Sequence, residues 1–378
     1  MYFSRWQLSL ALLLALGQAN VAAMPPKTMG YLGWWLPRSW DSLALAQFDR
    51  LFFFELRVDA SGAISEKHGW PEQWTAQQMT IHAAKVPLDL TLTLFEPGHF
   101  NTLFRSDAAM DRLRNECLEL VKHPSVSGLH IDFEIFVDAD SHAIANFRQF
   151  LISLSDHLHQ LDPQKKLSVF MPFEPTAELY DQAALDKLDF VVMQAYDTHQ
   201  KDSQHAGPVA PISGPDTLTW EKVAAKGAAL GLPGERLVLT FPLYGYEWQV
   251  TKHQPRAAVK APGTTTSFAP LSADELPDIR ISVTQRVRQY GATHDPLTGS
   301  SYYQFTLDKQ FYQGWFEDWW SLDRKIDFLN QQKLGGIAFF LLGYDNQVLV
   351  NHYLNRQPAK NFENLIDQLQ NSGTEFIR

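Results

Sequence analysis

The run SGLHIDFE (residues 127–134) is apolar until it closes on two acids spaced one residue apart. Side chains alternate across a β-strand, so residues i and i+2 share a face. His130, Asp132 and Glu134 therefore fall on one face, and Leu129, Ile131 and Phe133 on the other. Such an apolar flank marks an inner strand. Two carboxylates side by side on its other face are costly, because like charges at close range resist joint ionisation. Costly acids of this kind mark candidate chemistry.

Outward from this strand, β-rich runs alternate with helical patterns along most of the 378 residues. The runs are MGYLGWW (29–35), RLFFFELRV (50–58), LDLTLTLF (88–95), VSGLHIDFE (126–134) and KLSVFMPF (166–173). FVVMQAYD (190–197), RLVLTFPLYG (236–245) and GIAFFLLG (336–343) complete them. Between two of them, residues 142–161 place Ile144, Phe147, Phe150, Leu151 and Leu154 on one helical face. DADSH (138–142) reads as the cap of that helix. Cys117, the one cysteine, sits in a segment of helical period and is expected to be a small buried hydrophobe. Eight strands with intervening helices predict a (β/α)8 TIM barrel in the α/β class. An open doubly wound sheet is the other architecture, but no Gly-rich phosphate loop follows the first strand.

Residues 249–310 are too long for one helical crossover and carry turn-rich joints with the aromatic run SYYQF. They are read as a small α+β insertion between the seventh and eighth strands. The barrel is expected over 24–356, with a C-terminal helix or tail at 357–378. At the other end, Arg5 precedes the apolar run LSLALLLALG, then small residues up to Ala23. That layout predicts a signal peptide over 1–23 and export to the periplasm or beyond. The run falls short of the roughly 20 apolar residues a membrane span needs.

The formal charge of −10, with no run of Lys or Arg, argues against nucleic acid or an anionic membrane as partner. Asp197, His199 and His205 in YDTHQKDSQH lack a metal-binding spacing, so neither metal nor cofactor is expected.

In four blocks the chain resembles glycoside hydrolase family 18, the chitinase family. The family's fourth-strand signature D-G-x-D-x-D-x-E is met at Gly128, Asp132 and Glu134, with Ser127 and His130 in place of two acids. MQAYD (193–197) is similar to the sixth-strand block and places Gln194, Tyr196 and Asp197 on its positions. GLPGERLVLTFPLYGYEW (231–248) resembles the seventh, with Pro242, Tyr244, Gly245 and Trp248 in place. Residues 315–345 resemble the last helix and strand. Their WFED opening is similar to a bacterial branch that includes peptidoglycan and spore-cortex hydrolases.

The resemblance implies a substrate-assisted mechanism, an exception to the two-carboxylate scheme of most retaining glycosidases. Glu134 would protonate the glycosidic oxygen, and the substrate's own 2-acetamido oxygen would attack the anomeric carbon. Asp132 would hold the acetamido N–H and, by its charge, raise the pKa of Glu134. Tyr196 would donate to the acetamido oxygen, unless it is a core tyrosine. Gln194, Asp197 and Tyr244 would shape the sugar subsite, and Trp248 would stack on a sugar.

Three positions depart from the pattern. At 130 the family has an acid that bonds the next acid, so His130 is expected to bond Asp132 and shift the pH optimum; a core histidine is the alternative. At 340 the family's floor tryptophan is Phe340, which keeps an apolar face. The third-strand end reads TLFEPG and brings Glu96 toward the barrel mouth. The reading is an exported, monomeric hydrolase of β-linked, N-acetylglucosamine-containing glycans, either chitin-type oligomers or peptidoglycan. The alternative is a catalytically silent carbohydrate-binding barrel, since fold alone does not establish function.

Overall fold

The computed structural model describes residues 25–37, 43–135, 139–174, 179–269, 279 and 281–356. The expected signal peptide and the tail at 357–378 lie outside the described residues. Eight strands come first along the chain: β1 (Lys27–Gly33), β2 (Arg50–Val58), β3 (Ile64–Glu66) and β4 (Leu88–Leu94), then β5 (Gly128–Phe133), β6 (Lys166–Met171), β7 (Phe190–Met193) and β8 (Leu237–Pro242). Then follow β9 (Tyr244–Val250), β10 (Thr264–Ser267), β11 (Ile281–Ser282), β12 (Thr293–Asp295), β13 (Ser300–Leu307) and β14 (Gln310–Phe316), before β15 (Gly336–Phe340). The helices are α1 (Thr75–Ala83), α2 (Pro97–Phe104), α3 (Asp107–Leu120), α4 (Ser141–Leu161), α5 (Gln182–Lys187), α6 (Trp220–Ala229), α7 (Val283–Tyr290), α8 (Trp319–Gln332) and α9 (Val348–Arg356).

Parallel pairing runs β1-β15-β8-β7-β6-β5-β4-β2 and returns from β2 to β1, closing an eight-stranded barrel. This is the (β/α)8 barrel expected from the sequence. The short β3 pairs antiparallel with the end of β2 as a hairpin on the barrel rim.

Alternation along each strand builds two separate cores. Outward-facing Leu129, Ile131 and Phe133 join Phe104, Phe147 and Phe150 beneath the helices. Inside the barrel, Tyr31, Phe52, Phe170, Phe190, Val192, Val238 and Ala338 fill the lumen. Phe147 is fully buried, and burial of such a side chain contributes about 1.5–3 kcal/mol. Its helix α4 starts where the sequence indicates: the Asp140 carboxylate accepts from His142 N and Ala143 N, both at 3.0 Å. Cys117 is buried on α3. Gly128, which opens β5, has no room for a side chain. A Cβ there would stand 2.3 Å from the Lys166 carbonyl and 2.7 Å from Asp89 Oδ1.

The second sheet, ordered β11-β10-β9-β14-β13-β12, stands between barrel strands β8 and β15. It takes in Tyr244–Phe316, wider than the interval 249–310. The seventh barrel strand stops at Pro242, and one residue later the chain is already in β9. Leu243 N donates to Phe340 O at 2.7 Å, so this junction is tied to the end of β15. The sheet is also locked to the barrel below. Lys325 Nζ on α8 meets Glu317 Oε2 at 2.6 Å, both fully buried, while Ser300 Oγ donates to Glu317 Oε1 at 3.0 Å. Asp318 and Ser321 form a capping box at the start of α8. No helix among the described residues is long and apolar enough to cross a membrane.

Candidate active site

The C-terminal ends of the barrel strands carry the acids, as the alternation on β5 requires. Asp132 is 3% exposed and pairs in register with Thr93 of β4. Glu134 lies just past the strand, but its N–H donates to Leu94 O at 3.1 Å. The ladder therefore continues by one residue and keeps Glu134 on the same face as Asp132. The two carboxyls hydrogen-bond each other. Burial pushes Asp132 well above the usual carboxylate range, followed by the charges of Glu134 and Glu55. Burial also pushes Glu134 up to about 7, with Asp197 adding to it and the bond from Asp132 opposing. Asp132 and Glu134 repel each other as charged groups and share a proton through their hydrogen bond, and Asp197 adds a further negative charge beside Glu134. The pair retains a proton near neutrality, and that proton is available for transfer. Asp132 Oδ1 is buried and has no protein partner.

His130 does not bond Asp132. Its Nε2 lies 2.9 Å from Tyr31 Oη and its Nδ1 2.8 Å from Ser168 Oγ, and the ring sits 4.4 Å from that of Phe52. Burial, helped by the charge of Arg50, lowers its pKa to about 3, so it stays neutral. It is the core histidine of the alternative reading, and the expected bond to Asp132 is absent. Two residues back along the strand, its side chain lies a full layer deeper in the lumen.

Strand β7 and the start of β9 supply the opposite wall. Tyr196 is buried beside Glu134, and burial and the acids raise its phenol, so it remains a donor. Its ring stacks on Phe340, with centroids 5.6 Å apart and planes at 16°. Phe340 in turn meets Tyr31 and Phe54 edge-on at 5.4 and 5.6 Å. Asp197 follows in the left-handed region (φ 61°). It accepts from Tyr244 Oη at 2.8 Å and Tyr246 Oη at 3.2 Å, and burial lifts it to about 6.

The remaining candidates divide. Gln194 Oε1 accepts from Phe173 N at 3.1 Å and so holds the β6–β7 loop end. Trp248 is 1% exposed, donates to Lys201 O at 3.2 Å and packs beneath Tyr246, so it offers a sugar no free face. Glu96 stands at the head of α2 with its side chain 65% exposed. His199 Nδ1 faces the Pro208 carbonyl, and among the described residues no three His, Cys, Asp or Glu gather as a metal set.

Sequence reasoning missed Glu55, Tyr246 and Tyr31. Glu55, from RLFFFELRV, is 3% exposed and accepts from Thr93 Oγ1 at 2.6 Å. An acid inside an apolar strand was the available signal, and alternation from Phe53 (out) places it with the wrong face. The strand register shifts between Phe53 and Leu56, which turns Glu55 toward the site. The tyrosines carried no local signal.

A closed barrel whose mouth holds a proton-sharing carboxyl pair, ringed by aromatic faces and tyrosine hydroxyls, is the architecture of a barrel glycosidase. Residues 73–345 match the profile described as glycosyl hydrolases family 18, and the chain belongs to that family. A Bacillus subtilis (strain 168) protein designated a sporulation-specific glycosylase, YdhD, is 26% identical over 307 residues, 75% of this chain and 66% of that protein. The cortical fragment-lytic enzyme of the same organism is 24% identical over 250 residues, 64% of this chain and 52% of the enzyme. The chain thus spans between half and two thirds of these relatives. A family 18 chitinase from Cycas revoluta, solved with allosamidin, superposes with a TM-score of 0.72 at 17% identity, over 87% of this chain and 98% of that one. The Bacillus cereus spore cortex-lytic enzyme SleL gives 0.68 at 17% identity, over 86% and 74%.

Proposed function

We propose that the protein is an exported glycosidase that hydrolyses β-linked, N-acetylglucosamine-containing glycans with retention, using the substrate's acetamido group as nucleophile. The orphaned Oδ1 of Asp132 carries this reading. A buried acceptor left without a partner costs about 1–3 kcal/mol, and a substrate N–H removes that cost.

Glu134, raised to about 7, gives its proton to the glycosidic oxygen as the bond from C1 breaks. The acetamido oxygen closes on C1 to form an oxazolinium ion, while Asp132 accepts from the acetamido N–H and stabilises the growing positive charge. Tyr196 donates to the acetamido oxygen and aligns it. Water then adds to C1 and returns a proton to Glu134. Phe340 with Tyr196 forms the apolar floor of the sugar site. A cavity of about 520 Å³, lined by Trp34, Pro37, His68, Gly69, Gln73 and Trp74, gives a longer glycan further room. The relation to cortical fragment-lytic enzymes favours cell-envelope glycan over chitin.

Hydrolysis of N-acetylglucosamine oligomers and of purified peptidoglycan, wild type against Glu134→Gln, tests the reading. Turnover is expected in wild type, with a loss of about 10²–10⁴-fold in the variant, the usual range for a general acid. Binding without turnover, equal in both proteins, would establish a carbohydrate-binding barrel instead.

A further inference from the structure

The two nitrogens of His130 are taken by Tyr31 and Ser168, so no acid on β5 backs Asp132 from below. An acid from β2, on the far side of β4, approaches it instead. Glu55 is buried in the second half of β2, and both its oxygens have donor partners. Oε2 takes the Thr93 hydroxyl at 2.6 Å, and Oε1 takes Arg57 Nη2 at 3.0 Å and Nε at 3.3 Å. A hydroxyl and a guanidinium are the partners that suit a carboxylate. Thr93 pairs in register with Asp132, so Glu55 is anchored level with the catalytic acid and one strand removed from it.

We propose that Glu55 is a positioning residue for the reaction: a carboxylate supplied from β2 in place of the acid missing at position 130, which keeps the shared proton on the Asp132–Glu134 pair. The inference rests on the glycosidase reading and adds a group to its site. Glu55 acts through Asp132 and need not touch the sugar.

The charge field supports this role. Among the influences on Asp132, Glu55 follows burial and Glu134, and like Glu134 it favours the protonated form. The groups facing Glu55 are few. Arg57 comes from its own strand, with its side chain 51% exposed. His68 Nε2, from the loop after β3, stands 3.9 Å away and is held neutral chiefly by burial. Glu66 of β3 faces both Arg57 and His68, at 3.8 and 3.2 Å.

Two charge changes should act in opposite directions. Glu55→Gln removes a negative charge, so the pair loses its last proton at lower pH, and the alkaline limb of kcat moves down by about one unit. At a pH above that limb, kcat falls about tenfold, while KM changes less than about twofold. Arg57→Gln, a substitution on a half-exposed side chain, removes the opposing positive charge and moves the limb up. The same shifts should appear in NMR titration of labelled carboxyl carbons in the free protein, which requires no substrate. That measurement separates the two readings: wild type without turnover refutes the glycosidase, whereas unshifted carboxyl titrations refute the role of Glu55. If Glu55 only packs, Glu55→Gln lowers thermal stability and leaves every titration in place, which overturns the proposal. If Glu55→Gln fails to fold, Arg57→Gln decides, and a titration superimposable on wild type is the overturning result.

Discussion

Two of the places where the molecule buries acids handle them by opposite means. At the seam between the second sheet and the barrel, Glu317 has a cation, Lys325, at 2.6 Å and a hydroxyl, Ser300, at 3.0 Å. At the barrel mouth, Asp132, Glu134 and Asp197 lie together with no cation bonded to any of them among the described contacts. Burial opposes the charged form in both, raising Glu317 and lowering Lys325 at the seam. The seam answers with an opposite charge. The mouth answers by keeping protons. A paired acid fixes structure, whereas an acid kept protonated near neutrality can deliver that proton, and that difference separates the two sites.

The largest expected contrast is between Glu134→Gln and a break at the seam. Glu134→Gln removes an acid whose ionisation is costly, so turnover collapses while resistance to thermal unfolding at pH 8 holds or rises. An unfolding temperature lowered by many degrees would mean that Glu134 serves structure. Lys325→Met should do the reverse. It strands Glu317 in the interior and costs about 3–5 kcal/mol, as breaking one side of a buried pair does. Adding Glu317→Leu should recover most of that loss, and denaturant unfolding of the single and double variants reads it directly. A single variant as stable as wild type would show the pair to be incidental.

A smaller effect tests the acids at the mouth through pH. Asp197 is raised to about 6 from an unfolded value near 4. The folded state therefore binds more protons than the unfolded state between those values. The stability this contributes is full below about pH 4 and lost as pH rises through about 6. Asp197→Asn abolishes that titration, so its stability should be flatter over this window and exceed that of wild type at pH 7. It also withdraws a negative charge from Glu134, moving the alkaline limb of activity below about 7. Parallel stability curves for the two proteins would contradict the assignment. The smallest effect belongs to Phe340→Trp. A wider face at the floor should tighten KM for chitin-type oligomers by a few-fold, if the floor contacts sugar, and an unchanged KM would place the sugar elsewhere.

Alternation in SGLHIDFE set the face shared by Asp132 and Glu134, and strand spacing along the chain set the eightfold barrel. Helical period foretold α4, down to its cap at Asp140. These are local signals: a period of two or of 3.6 residues is written in neighbouring positions. The roles of His130, Trp248 and Glu55 were not legible in the same way. One partner of His130, Tyr31, is 99 residues away, and that pairing exists only once the barrel closes. Trp248 sits in a block that reads as part of the site, yet the loop at Lys201 and the approach of Gly263 cover it. Glu55 follows an alternation that points it away from the lumen, and a register shift on β2 reverses it. Sequence alone therefore determined the barrel and the strand that carries the paired acids. Tertiary structure decided which buried side chains face one another, because the contacts that fix their protons come from strands far apart in the chain.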